Sequence, residues 1–463
     1  MKATLTPQDL AEHALAASTA DDCIATIRDT TSANLRWANN TLTTNGVMHG
    51  VTMTVVSFVV GREGIATGSV TGSATTVTQA TALVEAADRA ARRSTPAEDA
   101  AELLTGEAEP AWAEMPEGTS IDVYDRLAPA LGEAFATAAS ERRILYGFVD
   151  HEVATTYLAS SRGLRLRHVQ PTGHYGVTGK PEDLSDSAWV GGATRDFRDV
   201  DPVALDRELA TRLSWGARRV ELPAGRYDTV LPPTAVADLM IYAYWSASAR
   251  EAHDGQSVFS RPGGGTRIGD RLSTRPVRLF SDPAYDGLQA APFVMASSSS
   301  NTSSVFDNGL PLARTDWIED GELRALLQTR HSAQLTGQPV TPGIDNLVLG
   351  VDGADGSLET LVGDTERGLL LTCLWYIRAV DPQTLLLTGL TRDGVYLVEN
   401  GEITGAVNNF RFNESPVDLL GRFSVASPTV PAFSREWGDY FSRTAMPALR
   451  VPDFNMSSVS QAT

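Results

Sequence analysis

The histidines of this chain are few, and their neighbours decide what each can do. His151-Glu152 matches the opening of a zinc-protease motif, in which two His on one helix face hold the metal and Glu activates its water. The second His would fall at 155 or 156, and both positions are Thr. The stretch 152–158 also reads as a strand, which cannot set two ligands on one helical face. His253-Asp254 could serve a hydrolase as base and orienting acid. The competing reading is a helix end, where His suits the macrodipole and Gly255 the C-cap. His168 and His174, on a strand and the loop after it, read as surface histidines. Gly263-Gly264-Gly265 has no helix behind it and reads as a flexible loop rather than a phosphate cradle. There is no Gly-x-Ser-x-Gly elbow, dinucleotide fingerprint or Walker loop. The sequence assigns no catalytic, cofactor-binding or metal-binding residue to this chain.

The element on which the chain is organised runs from Gly225 to Phe259. Tyr227, Thr229 and Val230 favour a strand, and Pro232 ends it. Thr234 then suits an N-cap. Val236, Leu239, Met240 and Ala243 fall on one face of a helix running to about Ser248. Ile241, Tyr242, Tyr244 and Trp245 make the other face apolar too, so this helix is expected inside the molecule.

Before it, Thr6-Pro7-Gln8-Asp9 opens a helix. Strands are expected over 22–29, 34–40 and 50–61, with 65–70 returning as a hairpin, then a helix from Thr76 to about Arg92. Residues 94–120, with Pro96, Pro110, Pro116 and many acids, read as a linker. A helix over 121–139 leads to strands 143–149, 152–159 and 164–170, and Asp201-Pro202 opens a helix to about Trp215. The C-terminal third reads as strands joined by Asp393-Gly394 and Asn400-Gly401 hairpin turns. A sheet of this kind has an edge that can take up an extended peptide. Ser297-Ser298-Ser299-Ser300 reads as a mobile loop. The fold class expected is α+β. A mixed helix and antiparallel-sheet domain spans 1–218, with the linker inside it, and a strand-rich domain spans 219–463.

The strand and helix at 225–248 resemble the core of the TldD/PmbA family, the modulators of DNA gyrase. Ser160-Ser161-Arg162-Gly163 is similar to the family's Asn-Ser-x-Gly turn. Asp307-Asn308-Gly309 and Glu319-Asp320-Gly321-Glu322-Leu323 are similar to its Asp-Glu-Gly and Glu-x-Gly-x-Leu turns, with Asn308 in place of Glu. The succession 368–372, 387–403 and 447–451 follows its C-terminal strands. In the family's TldD-type members the helix carries His-Glu-x-x-x-His, which binds zinc, and a Cys before the last Pro-x-Leu strand completes the site. Here 241–246 read Ile-Tyr-Ala-Tyr-Trp-Ser, and 425–446 contain no Cys. The resemblance therefore implies a PmbA/TldE-type subunit, with zinc in a TldD-type partner, acting on unfolded protein or short peptides. Two other readings stay open: a stand-alone hydrolase using His253 and Asp254, and a homo-oligomeric peptide-binding protein.

The formal net charge is −19 and the isoelectric point about 4.8. That argues against a nucleic-acid surface, which needs Lys and Arg to neutralise phosphates. Cys23 and Cys373 form no disulfide framework, and a reducing cytoplasm is the expected setting. No signal peptide or membrane-spanning stretch is visible.

Overall fold

The structure is a computed structural model, and it describes residues 5–461. The fold is α+β. Its N-terminal part is built on a six-stranded antiparallel sheet with strand order β3-β2-β1-β4-β5-β6. The strands are β1 (Asp22–Ala38), β2 (Thr41–Val60), β3 (Ile65–Ser73), β4 (Arg143–Ser160), β5 (Arg165–Pro181) and β6 (Ala188–Thr194). Several are far longer than expected. The stretches 22–29 and 34–38 are one strand, with Asn39 and Asn40 in the turn after it, and 143–149 and 152–159 are likewise one. Pairing with long neighbours on both sides carries them through Ala33, Asp150 and other weak strand formers.

Side chains alternate across this sheet. Odd-numbered residues of β1, among them Ala25, Ile27, Leu35 and Trp37, face the helices. The helices α1 (Pro7–Ala17) and α2 (Val77–Ala91) cover one end of that face. At the other end lie α3 (Leu127–Ser140) and α4 (Pro202–Trp215). Thr6 caps α1 in a full capping box, and the Asp201 side chain caps α4. The buried pair Arg143–Asp206 ties α4 to β4.

Residues 94–120 are a strap laid over the sheet and not a linker. Leu103 and Leu104 pack beside Phe58. Trp112 sits edge-on to Tyr157 at 5.5 Å, and the Glu109 amide donates to Arg165 O.

The C-terminal part has two sheets. Strands β7 (Arg219–Val220) and β8 (Gly225–Leu231) belong to a ten-stranded one. There β8 lies parallel to Arg367–Leu371 and antiparallel to Leu449–Val459. A second, six-stranded sheet ends on the short strand Val430–Ala432. Helix α5 (Pro233–Trp245) is packed in a core drawn from both sheets, and residues 235–241 are all buried. The expectation of a buried helix holds. Its start differs: Pro232 takes the N-cap position with no side-chain cap, and Thr234 lies inside the helix. It also ends at Trp245, before the expected Ser248, and a separate short helix follows at Ala249–His253.

Asn400-Gly401 makes the expected tight hairpin, with both residues at positive φ. Asp393-Gly394 does not. The strands on either side of it, Leu386–Thr391 and Val395–Glu399, pair with different neighbours. The Asp393 carboxylate instead accepts from Ser187 of the N-terminal part.

Candidate functional site

The helix α5 and the segment before the last strand meet. Asp238 of α5 is fully buried. Its Oδ1 accepts from Ser434 Oγ at 2.5 Å and from the Glu436 amide at 3.0 Å. Trp437 Nε1 donates to the carbonyl of Asp238 at 2.9 Å. Burial pushes the Asp238 carboxyl up to about 7, against the pull of those two hydrogen bonds. The junction is filled by rings. Trp245 lies edge-on to Trp437 at 5.4 Å and to Phe441 at 6.1 Å, and Tyr242 packs on Trp437 at 5.8 Å. Among the described residues, no three His, Cys, Asp or Glu side chains converge as a metal set would.

Beside this junction runs a cleft between the two parts of the molecule. Its largest compartment has a volume of about 740 Å³. It shares Gln170, Thr172 and Arg443 with a second compartment of about 410 Å³. That one shares Met295, Asp345 and Phe441 with a third of about 240 Å³, which Trp245 also lines. The wall opposite the junction is the even-numbered face of β4 and β5, away from the helices. Asp150 and Glu152 of β4 stand there, with His168, Gln170, Thr172 and His174 of β5. The register pairs Asp150 with His174 and Glu152 with Thr172.

His168 and His174 are thus not surface histidines. Both lie on one strand, on one face, in the cleft wall. His174 is stacked on Phe433 with centroids 5.8 Å apart, and its Nε2 is 3.6 Å from Asp439. His168 Nε2 lies 3.0 Å from Gln170 Oε1. Desolvation holds both imidazoles below their ordinary pKa and raises the Asp150 carboxyl. Their shared face was missed because 164–170 read as a complete strand. The signal was there in the period-two spacing of His168, Gln170, Thr172 and His174.

His151 faces the other way and is buried. Its Nδ1 is 2.7 Å from Thr119 Oγ1 and its Nε2 2.8 Å from Arg195 O. Glu152 pairs with Arg28 at 2.6 Å. The two side chains of the apparent motif therefore stand on opposite faces of a strand. His253 is exposed at the end of its short helix, and Asp254 bonds Arg250 Nε at 2.9 Å. Gly255 follows at positive φ, as a helix end requires. Gly263, Gly264 and Gly265 form an open turn, all three at positive φ. The serine run is pinned at 2.5 Å twice, by Ser69 Oγ on Ser297 O and by Ser299 Oγ on Asp99 Oδ2. Asn308 is buried and works as a clamp. It accepts from the Ala296 amide at 2.6 Å and donates to Ala296 O and Val305 O at 2.9 and 3.1 Å.

Residues 224–458 match the PmbA/TldA metallopeptidase C-terminal domain. The chain belongs to the PmbA/TldA family. Three solved structures share the fold of this family member over nearly its whole length. TldE from Thermococcus kodakarensis is 15% identical, with a TM-score of 0.77 over 97% of this chain and 99% of that one. A protein described as a modulator of a DNA gyrase, from Thermotoga maritima, is 17% identical, with a TM-score of 0.72 over 94% and 95%. A similar description attaches to a Bacteroides thetaiotaomicron protein, 14% identical, with a TM-score of 0.73 over 98% of each chain. At such identity the likeness is one of fold. No curated protein matches the chain.

Proposed function

We propose that this PmbA/TldA-family chain is a TldE-like, non-catalytic subunit that works with a TldD-type chain on extended peptides. One observation carries the reading. The helix α5 and the segment 434–441, where the family's catalytic members are expected to place their metal ligands, come together here around Tyr242, Trp245, Trp437 and Phe441. Such rings offer packing, and none of the four is a His, Cys or carboxylate of the kind that usually holds zinc. Zinc, its activated water and the Glu base would come from the partner, and this chain would shape access through its cleft. Both cysteines are buried and free, which suits a reducing compartment such as the cytoplasm. No helix among the described residues is long and apolar enough to cross a membrane.

The test is zinc content and hydrolysis of a casein-type peptide mixture, measured for the purified chain and for the chain co-expressed with a TldD-type relative. Zinc and activity only in a co-purifying complex support the subunit reading. Stoichiometric zinc and activity in the chain alone overturn it.

A further inference from the structure

Arg443 is a cleft residue whose guanidinium the protein itself uses little. It precedes the strand Thr444–Met446 and lines both of the larger compartments. Its guanidinium donates to Thr172 Oγ1 at 2.7 Å. Among the described residues no carboxylate lies within ion-pair distance of it. The charges that reach it are those of Asp345, Arg28 and Glu152, and the last two are paired with each other at 2.6 Å. Burial lowers its hold on its proton, which signals a cation short of solvent. A guanidinium offers five donors in a rigid fork, and the fork fits a carboxylate in two-point contact. Thr172 fixes one edge of it and leaves the rest free.

The main compartment adds a second feature. One wall is Gly191–Thr194 of β6, the outer strand of the N-terminal sheet. Another is Val430–Ala432, the outer strand of the second C-terminal sheet. Alternate residues of an outer strand aim N–H and C=O away from their own ladder. A chain laid along such a strand can pair with it through its backbone. A volume of about 740 Å³ lies in the range of pre-formed ligand sites. The acids Asp345 and Asp439 in the adjoining compartment disfavour a polyanion, so negative charge on the ligand is confined to the end that meets Arg443.

We propose that this cleft binds an extended peptide by its carboxylate, held on Arg443, with the peptide backbone running along β6. The inference deepens the peptide-handling reading above and rests on it for the kind of ligand. Isothermal titration of the full chain with the pentapeptide Gly-Ala-Val-Ala-Ala tests it. The free acid is compared with its C-terminal amide and with an amidated version carrying Glu at the last position. The free acid is expected to bind at least tenfold more tightly than the plain amide, the scale of a charge-assisted contact. Arg443→Gln should bring the acid down to the amide's affinity, and Arg443→Lys should restore part of the difference. If the Glu-containing amide binds like the free acid, a side-chain carboxylate serves as well as a terminal one. If it binds like the plain amide, the terminus is what is read. Equal affinity for acid and plain amide, or no saturable binding of either, overturns the proposal, and this comparison needs no variant to fold. Binding is read on this chain alone. A failed zinc co-purification therefore leaves the inference standing, and a failed carboxylate preference leaves the subunit reading standing.

Discussion

Asp238→Asn should make the protein more stable at neutral and alkaline pH, and the gain should vanish in acid. Asp238 is fully buried, and its Oδ2 has no hydrogen-bond partner. Its carboxyl is pushed to about 7. The folded state therefore holds a proton there that the unfolded chain releases near pH 4. Between those values the folded state binds more protons, so stability falls as pH rises through the window and levels off above about 7. The gap corresponds to about 4 kcal/mol at full ionisation. Asn copies the neutral carboxyl at every pH. Glu436, whose own carboxyl burial raises, and Arg435 are the charged groups acting on it, and both remain in the variant. The difference between the two proteins, read by urea unfolding at pH 5, 6, 7 and 8, should grow by about 2–3 kcal/mol across the series. A difference that stays flat, or an Asn variant that is the weaker protein at pH 8, would show that the carboxylate is ionised and wanted in the fold.

Three further outcomes follow from packing and hydrogen bonding. Phe306, buried and edge-on to Phe58 at 5.1 Å, joins the two parts of the chain. Phe306→Ala should cost about 3–5 kcal/mol in urea unfolding, and a loss under about 1 kcal/mol would mean the seam closes up around it. Asn308→Asp turns a donor toward Ala296 O and Val305 O into an acceptor and should cost about 2–4 kcal/mol, seen as a lowered midpoint of thermal unfolding; an unchanged midpoint would remove the clamp from the account. Arg435 lies 4.4 Å from the Trp189 ring and 4.9 Å from that of Trp375. Arg435→Lys should lose about 1–2 kcal/mol and shift tryptophan emission to the red, and an unaltered spectrum would contradict the stacking.

The sequence showed some of this plainly and hid the rest for identifiable reasons. Helices opening at Thr6 and Asp201 were legible because capping is local. The buried α5 was legible from its all-round apolar faces. The family was legible from an ordered series of turns. Strand length was not, because Asp150 and His151 look like a break and are bridged by pairing with Asn34 and Ala33 on one side and His174 and Gly173 on the other. The strap at 94–120 looked like a linker because its prolines and acids are loop-like. What fastens it is a handful of contacts from its own Leu103, Leu104 and Trp112 to Phe58 and Tyr157, which lie far off in sequence. The cleft was hidden for the same reason. Its walls are β4, β5, the region near Asp345 and the segment 438–445, and nothing in one sequence says that they face each other.

The two parts of the molecule are fastened around that cleft at several separate points. Phe58 packs on Phe306 on one flank. Arg435 is clasped between the indoles of Trp189 and Trp375, and Ser187 bonds Asp393. Arg250 reaches Glu98 at 3.0 Å. Fastenings of this kind turn the opening into a gauge rather than a jaw. Under the peptide-handling proposal, a cleft fastened in this way would take an extended chain without any part of the molecule swinging over it. On that proposal neither entry nor exit waits on a lid, so both should be fast. Any discrimination between one thread and another is then left to the few side chains that line the slot.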